Sequence, residues 1–318
     1  MFSTKANKSP KITVSTKHKE IGESQNEIEK MQLIAAKVLI TTGIGVGPTT
    51  SSEVVDFSQQ SSNNTNCTNF VDFPVDTFGA TGQMTNLPII CGGEGRDHPS
   101  VDACYSLTKD QTTQIASMIY KRSGAASVPI KNNSALWITG GQNGVSKELL
   151  LATEIMDIRA NGNLGSARLS IDLPLPVSGH CLIRLNDHTL YLIGGKSSNG
   201  TSSRTFYLNL ESTTWSTNNN GNWTEGPHLK HPRYLHSCGM QGTKVIVSGG
   251  RNEDDFEMDS VESLELQEED AGNPQWIQGI FRDAILHPWC QKGGLFWDIE
   301  TQQGGPNNTI FPYISLFF

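Results

Sequence analysis

Residues 189–195 read TLYLIGG, an apolar run that ends on two adjacent glycines. Three other segments have the same form: LPIICGG (87–93), ALWITGG (135–141) and KVIVSGG (244–250). The first glycines of successive pairs lie 48, 54 and 55 residues apart, and a weaker copy, KVLITTG, ends at Gly43 about one interval earlier than Gly93. A strand-like pattern that recurs at a nearly constant interval predicts a protein built from structural repeats.

A second kind of segment follows each of the five glycine stretches. These segments are SSEVVDF (51–57), VDACYSL (101–107), ATEIMDI (152–158), RTFYLNL (204–210) and VESLEL (261–266). A glutamate recurs at one position within them, as Glu53, Glu154 and Glu262. A tryptophan is a third marker: Trp276 fits the fifth repeat, while Trp215 and Trp223 compete in the fourth. Independent markers that share one period are hard to obtain by chance.

A fourth marker precedes the glycine strand in the last three repeats. It comprises YKRSGAASVPI (120–130), LPVSGHCLIRL (175–185) and PRYLHSCGMQG (232–242). Each leads into a turn, KNNS, LNDH or QGTK, with the Asn, Asp or Gly that a tight hairpin requires. Each repeat therefore holds about four short strands, and the glycine strand is the second of them. Residues 21–37 carry the best helical pattern, enough for one or two amphipathic turns.

A period near 50 residues, four strands per unit, an apolar run into Gly-Gly and a downstream Trp resemble kelch repeats. That family folds as a β-propeller. The resemblance implies an all-β kelch-type β-propeller over residues 31–280, with five clear blades. We expect residues 1–30 to be a polar disordered tail. Residues 281–318 are expected to form an incomplete or degenerate sixth blade, or a strand that closes the ring.

The charge and composition of the chain exclude some classes of partner. The net charge of −8 argues against a nucleic-acid binder, and no apolar run is long enough for a transmembrane helix, so neither nucleic acid nor membrane is expected. Six cysteines, together with Asn-x-Ser/Thr sequons at Asn63, Asn66, Asn132, Asn199 and Asn222, suggest a secreted, glycosylated protein. The first 30 residues lack the apolar core of a signal peptide, which instead favours the cytoplasm.

In kelch propellers, the loop after Gly-Gly and the loop between blades open on the same face, which often binds peptides or proteins. The resemblance therefore implies a non-catalytic scaffold that binds a protein or peptide through these loops, with the oligomeric state left open. The candidate partner-binding residues are the charged and imidazole side chains of these loops: Arg96, Asp97, His98, Lys121, Arg122, Lys196, His228, Lys230, His231, Arg233, Arg251, Asp254 and Asp255. For each of them, plain solvation of a polar loop is the competing explanation.

The glycine pairs are interpreted as structural, because a phosphate-binding loop needs a different spacing and a following helix. They are Gly92, Gly93, Gly140, Gly141, Gly194, Gly195, Gly249 and Gly250. Since no catalytic or metal-binding pattern stands out, we expect no enzyme activity, no cofactor and no metal.

The alternative function is a secreted metal-dependent oxidase or carbohydrate-active enzyme on a kelch-like propeller. His180–Cys181 and the His236-x-Cys238 pair are the residues that favour it, since His and Cys together bind metals or form a nucleophile–base pair. Packing of these residues in the first strand is the simpler interpretation. Cys91 and Cys104 flank one hairpin, where a disulfide or two free buried thiols are both compatible with the sequence.

Overall fold

A computed structural model describes residues 37–41, 52–56, 66–74, 77–84, 87–131, 133–211, 223–266, 274–280, 287–289 and 294–296 of the 318-residue chain. These residues form β-strands and no helix, and therefore none of sufficient length and apolarity to span a membrane. The predicted tail (1–30), the weak helical pattern up to residue 36 and most of 281–318 lie outside the described residues.

The strands form a series of antiparallel sheets in chain order. The first sheet contains β1 (Lys37–Thr41), β2 (Ser52–Asp56) and β3 (Asn66–Asn69). The second contains β4 (Thr81–Met84), β5 (Pro88–Cys91), β6 (Ala103–Leu107) and β7 (Thr112–Ser117). The third contains β8 (Ala126–Ile130), β9 (Ala135–Thr139), β10 (Thr153–Asp157) and β11 (Arg168–Leu169).

The fourth sheet contains β12 (Cys181–Asn186), β13 (Thr189–Ile193), β16 (Thr205–Asn209) and β17 (Thr224–Glu225), and β14 (Lys196–Ser197) and β15 (Gly200–Thr201) form a small hairpin between its middle strands. The fifth contains β18 (Ser237–Gln241), β19 (Lys244–Ser248), β20 (Ser260–Glu265) and β21 (Ile277–Ile280). A last pair comprises β22 (His287–Trp289) and β23 (Gly294–Phe296). The four-stranded repeat predicted from the markers is therefore confirmed in the second to fifth sheets.

The glycine strands are apolar throughout because both of their faces are buried between neighbouring sheets. In β13, Leu190 and Leu192 pack against the third sheet, while Tyr191 and Ile193 pack against the fifth. In β9, Trp137 similarly faces the fourth sheet, and its neighbours along the strand face the second. A strand buried on both faces reads as a continuous hydrophobic run, which is why TLYLI lacks the alternation of a half-exposed strand.

The first strands of successive sheets lie side by side, β4 against β8, β8 against β12 and β12 against β18. A run of backbone hydrogen bonds joins the residues just before them. The N–H of Gly124 donates to Gly79, that of Gly179 to Gly124, and that of Leu235 to Gly179, each at 2.7 Å. Sheets whose first strands meet in succession fit a propeller-like fold.

Two disulfides lie within the described residues. Cys91 and Cys104 face each other across β5 and β6 and are bonded, one of the alternatives that the sequence left open. Cys181 and Cys238 join the first strands of the fourth and fifth sheets, 57 residues apart in the chain. The sequence alternative that gave these two cysteines a metal or a nucleophilic role was therefore wrong, because neither carries a free thiol.

Candidate site on the loop face

The glycine pairs tie each sheet to the next. The N–H of Gly93 donates to the carbonyl of Arg122 at 2.8 Å, and Gly141 and Gly195 make the equivalent bonds to Val177 and Arg233 at 2.9 Å. All eight glycines have φ between 56° and 100°, the left-handed region that side chains disfavour. The glycines end each strand where its backbone must turn and touch the neighbouring sheet.

The loops after the glycines meet the connections between sheets on one side of the molecule. Phe78 exchanges two backbone hydrogen bonds with Glu94, and Ser123 does the same with Gln142. Equivalent pairs are Ser178 with Lys196, and Tyr234 with Arg251. We call this side, formed by loops 94–102, 142–148, 196–204 and 251–260 and by the connections before β4, β8, β12 and β18, the loop face.

The sequence predicted that Arg122 would be exposed on the loop face. In the structure it is fully buried. Its guanidinium pairs with the buried carboxylate of Glu154 and donates to the carbonyls of Gly140 (2.7 Å) and Ala152 (3.0 Å). Burial lowers the pKa of Arg122, and the Glu154 carboxylate counteracts this by favouring the charged form. The prediction of a partner-binding role for Arg122 was therefore wrong.

Arg233 repeats this arrangement two sheets later and was assigned wrongly for the same reason. It is fully buried, pairs with Glu262 at 2.9 Å and donates to the carbonyl of Gly249, also at 2.9 Å. Glu262 also accepts the backbone N–H groups of Lys230 and His231, as Glu154 does from Ile119 and Tyr120. Each buried pair thus fastens an incoming connection to a glycine turn.

His180 and His236 directly precede the first strands of the fourth and fifth sheets and are almost fully buried. The Nε2 atom of His180 lies 2.8 Å from the Thr139 hydroxyl. Burial lowers the pKa of both imidazoles to about 3, and the neighbouring Arg122 and Arg233 guanidiniums add to this effect. Both histidines therefore pack as neutral side chains, and the simpler interpretation of the sequence is confirmed for them.

One half of the loop face uses its charges internally. The Lys196 ammonium lies 4.8 Å from the Tyr234 ring centroid, and the Tyr234 hydroxyl donates to Asp255. Arg251 pairs with Asp255 at 3.4 Å and with Glu257 at 3.1 Å. Partial burial, followed by the nearby Asp255 carboxylate, raises the pKa of Tyr234 to about 12. Lys196, Arg251 and Asp255 thus already have partners within the protein.

The other half contains an open pocket of about 560 Å³ between the loops of the second and third sheets. It is lined by Phe78, Glu94, Gly95, Arg96, Asp97, His98, Pro99, Gly144 and Lys147. The two loops are held together at Gly144, whose N–H donates to the Ser100 hydroxyl at 2.6 Å and whose Cα leaves no room for a side chain. Three residues predicted from the sequence, Arg96, Asp97 and His98, therefore line one pocket.

Two of these pocket residues have no partner within the described part of the chain. The exposed side chains of Arg96 and Asp97 form no hydrogen bond or ion pair there, whereas Lys147 lies 3.8 Å from the Glu94 carboxylate. Val145, between Gly144 and Lys147, is 70% exposed. Val145 could not be singled out from the sequence, because an isolated valine in a polar loop belongs to no pattern.

The remaining predicted residues are scattered around the loop face. Lys121 and Asp254 are exposed, and Lys230 is exposed next to the Glu262 carboxylate that its backbone binds. The rings of His231 and His228 lie 3.3 Å from Glu262 and 2.9 Å from Glu225, respectively. No three His, Cys, Asp or Glu side chains within the described ranges are grouped closely enough to hold a metal ion.

Comparisons with known proteins bear on the fold. No protein-family model matches the chain, and no curated protein matches it in sequence. Among solved structures, the chain is similar to one titled "Structure of YjhT", a propeller-type protein, with a TM-score of 0.54 and 13% sequence identity. The match covers 68% of this chain and 70% of that one. At this level of identity the likeness concerns the fold alone: an all-β, propeller-like arrangement of antiparallel sheets.

Proposed function

We propose that the chain is a kelch-type β-propeller that binds a protein or peptide partner on its loop face without catalysing a reaction. The five sheets from β1 to β21 would be five blades, with β22 and β23 as part of an incomplete sixth. The recurrent glycine pairs and the adjacent first strands support this assignment.

The observation that carries the binding proposal is the unequal use of charge on the loop face. Around Tyr234 the charged groups pair with each other, whereas Arg96 and Asp97 project unpaired beside the pocket. An exposed apolar residue, Val145, follows the pocket residue Gly144 in the chain. Arginine is enriched among the residues that contribute most to protein–protein binding energy, and ligand sites are usually concave.

The pocket also has one free positive and one free negative group. A partner that meets both would place a carboxylate against Arg96 and an ammonium or guanidinium against Asp97. The matching ligand is an extended peptide that carries both charge signs and an apolar side chain for Val145. Loops 94–102 and 142–148 are fastened at Gly144, so the pocket is largely formed before binding.

The test is selection of peptides from a random display library on the purified protein, followed by affinity measurement with variants. The charge-swap variant Arg96→Asp/Asp97→Arg keeps the net charge and should weaken the selected peptides by more than about tenfold, the effect of about 1.4 kcal/mol. The matched control is Asp157→Arg/Arg168→Asp, which swaps an exposed ion pair on β10 and β11. Peptides that bind the pocket variant as well as the parent, or no enriched peptide at all, would contradict the proposal.

A further inference from the structure

The two disulfides indicate the compartment in which the chain folds. The Cys91–Cys104 and Cys181–Cys238 bonds lie in the core, and the second fastens two sheets together. Structural disulfides form and persist in oxidising compartments and are rare in the cytosol. In eukaryotic cells, that is also where Asn-x-Ser/Thr sequons are glycosylated.

Asn199 differs from four other asparagines in turns of the described chain. Asn143, Asn161, Asn186 and Asn252 each use their side-chain oxygen to accept a backbone N–H within the turn, and none of them begins a sequon. Asn199 begins the sequon Asn199-Gly200-Thr201, is exposed, and makes no side-chain hydrogen bond with any described residue. Its turn is instead stabilised by its backbone N–H, which donates to the Ser197 hydroxyl at 3.2 Å.

We propose that Asn199 carries an N-linked glycan, added as the chain matures in an oxidising secretory compartment. In the modification, the amide nitrogen of Asn199 forms a bond to C1 of the first sugar of a lipid-linked oligosaccharide. The bond between C1 and the diphosphate oxygen breaks, the amide loses one proton, and the lipid diphosphate leaves. The exposed turn between β14 and β15 places the glycan in solvent, where its bulk displaces no core residue.

Asn199 lies on the half of the loop face that does not contain the pocket. The hairpin is tied to loop 251–260, because the N–H of Thr201 donates to Glu253 and Gly200 packs against the same carboxylate. A glycan there would be attached beside the half whose charges are already paired, on a different loop from those that line the pocket at Arg96. The inference does not rest on the proposed function, since glycosylation is measured without any partner.

The test isolates this one sequon. Trypsin cleavage after Lys196 and Arg204 releases SSNGTSSR (197–204), in which Asn199 is the single asparagine. We expect mass spectrometry of the native protein, captured from its source with an antibody, to find this peptide bearing an intact glycan. Detecting the intact glycopeptide is essential, because an Asn-Gly sequence deamidates spontaneously and would imitate a removed glycan.

The control variants change the two residues of the sequon that glycosylation requires, Asn199 and Thr201. In secreting eukaryotic cells, the full chain behind a secretion leader should lose the glycan of peptide 197–204 in Asn199→Gln and Thr201→Ala. Thr201→Ser should retain it, because serine also completes the sequon, and this separates acceptor chemistry from a folding defect. An unmodified 197–204 peptide in the native protein, or a glycan that survives Asn199→Gln, would overturn the proposal.

Discussion

At the scale of single residues, the most informative side chains are the two buried arginines. Arg122 and Arg233 occur in polar segments, where charged side chains are normally exposed. For this reason the sequence predicted that both would bind a partner. The signal for their structural role was present, since Glu154 and Glu262 lie 108 residues apart, close to the 111 residues that separate the two arginines. Opposite charges that both recur with the repeat predict a structural ion pair better than a binding site.

The Arg122–Glu154 pair should be far more important for stability than a surface pair of the same chemistry. Glu154→Gln leaves the Arg122 charge buried without a counter-ion, and we expect a loss of about 3–5 kcal/mol in the free energy of unfolding by urea. Asp157→Asn is the control, because Asp157 lies on the same strand and pairs with Arg168 in solvent. Its loss should stay below about 1 kcal/mol; similar losses for the two variants would refute the argument.

The buried histidines predict acid lability. His180 and His236 have pKa values of about 3 when folded, below the value near 6.5 in an unfolded chain. The unfolded chain therefore binds protons that the folded chain excludes, so stability is complete above about pH 6.5 and falls as the pH drops toward 3. Each histidine should contribute a slope of about 1.4 kcal/mol per pH unit in that window.

This slope is measured from urea unfolding at a series of pH values. His180→Gln keeps a polar side chain of similar size next to Thr139 but cannot take up a proton. We expect the variant to lose about half of the histidine-dependent slope, while its stability at neutral pH changes separately through packing. A pH dependence identical to that of the parent would show that His180 is not one of the groups responsible.

At the scale of the strand, the glycine pairs could be predicted from sequence, and their inter-sheet contacts could not. The pattern TLYLIGG indicated a buried strand that stops at a turn, and β13 ends at Ile193 as expected. What the pattern does not contain is the neighbour: a Cβ on Gly194 would lie 2.7 Å from the carbonyl oxygen of Arg233, 39 positions later in the chain. Contacts between sheets depend on three-dimensional packing, which the periodicity of the sequence does not reveal.

Two glycines separate backbone strain from this steric effect. Gly194 and Gly242 both have φ of 59°, but a Cβ on Gly242 would meet nothing within 4 Å. Gly242→Ala should lower the free energy of unfolding by about 1–2 kcal/mol, because a residue with a Cβ is strained in the left-handed region. Gly194→Ala should cost about 1–3 kcal/mol more, from overpacking against the next sheet. Equal losses in urea unfolding would mean that the inter-sheet contact is unimportant.

At the scale of the whole molecule, the repeats could be predicted because two-sided burial imposes the same apolar strand in each unit. The pocket could be predicted only in part. Arg96, Asp97 and His98 were among thirteen candidate residues of equal standing in the sequence. Only the folded chain separates them from Lys196, Arg251 and Asp255: Arg251 pairs with Asp255 and Glu257 of its own loop, and Lys196 lies over the Tyr234 ring.

The disulfide between sheets should stabilise the molecule more than the disulfide within one sheet. Cys181 and Cys238 close a loop of 57 residues, against 13 for Cys91 and Cys104. From loop-closure entropy, we expect the first bond to stabilise the folded protein by about 4 kcal/mol and the second by about 3 kcal/mol. The measurement compares urea unfolding of Cys181→Ala/Cys238→Ala with that of Cys91→Ala/Cys104→Ala. A larger loss for the second variant would contradict this expectation.

The backbone hydrogen bonds that run from Gly79 through Gly124 and Gly179 to Leu235 have a consequence for how such a chain can grow. In each internal link, one residue donates its N–H backward and offers its carbonyl forward. A tandem duplication of residues 179–234 would insert one more link with a donor and an acceptor already matched at both ends. Such a duplication would therefore add one unit without requiring a new type of hydrogen bond between neighbouring sheets.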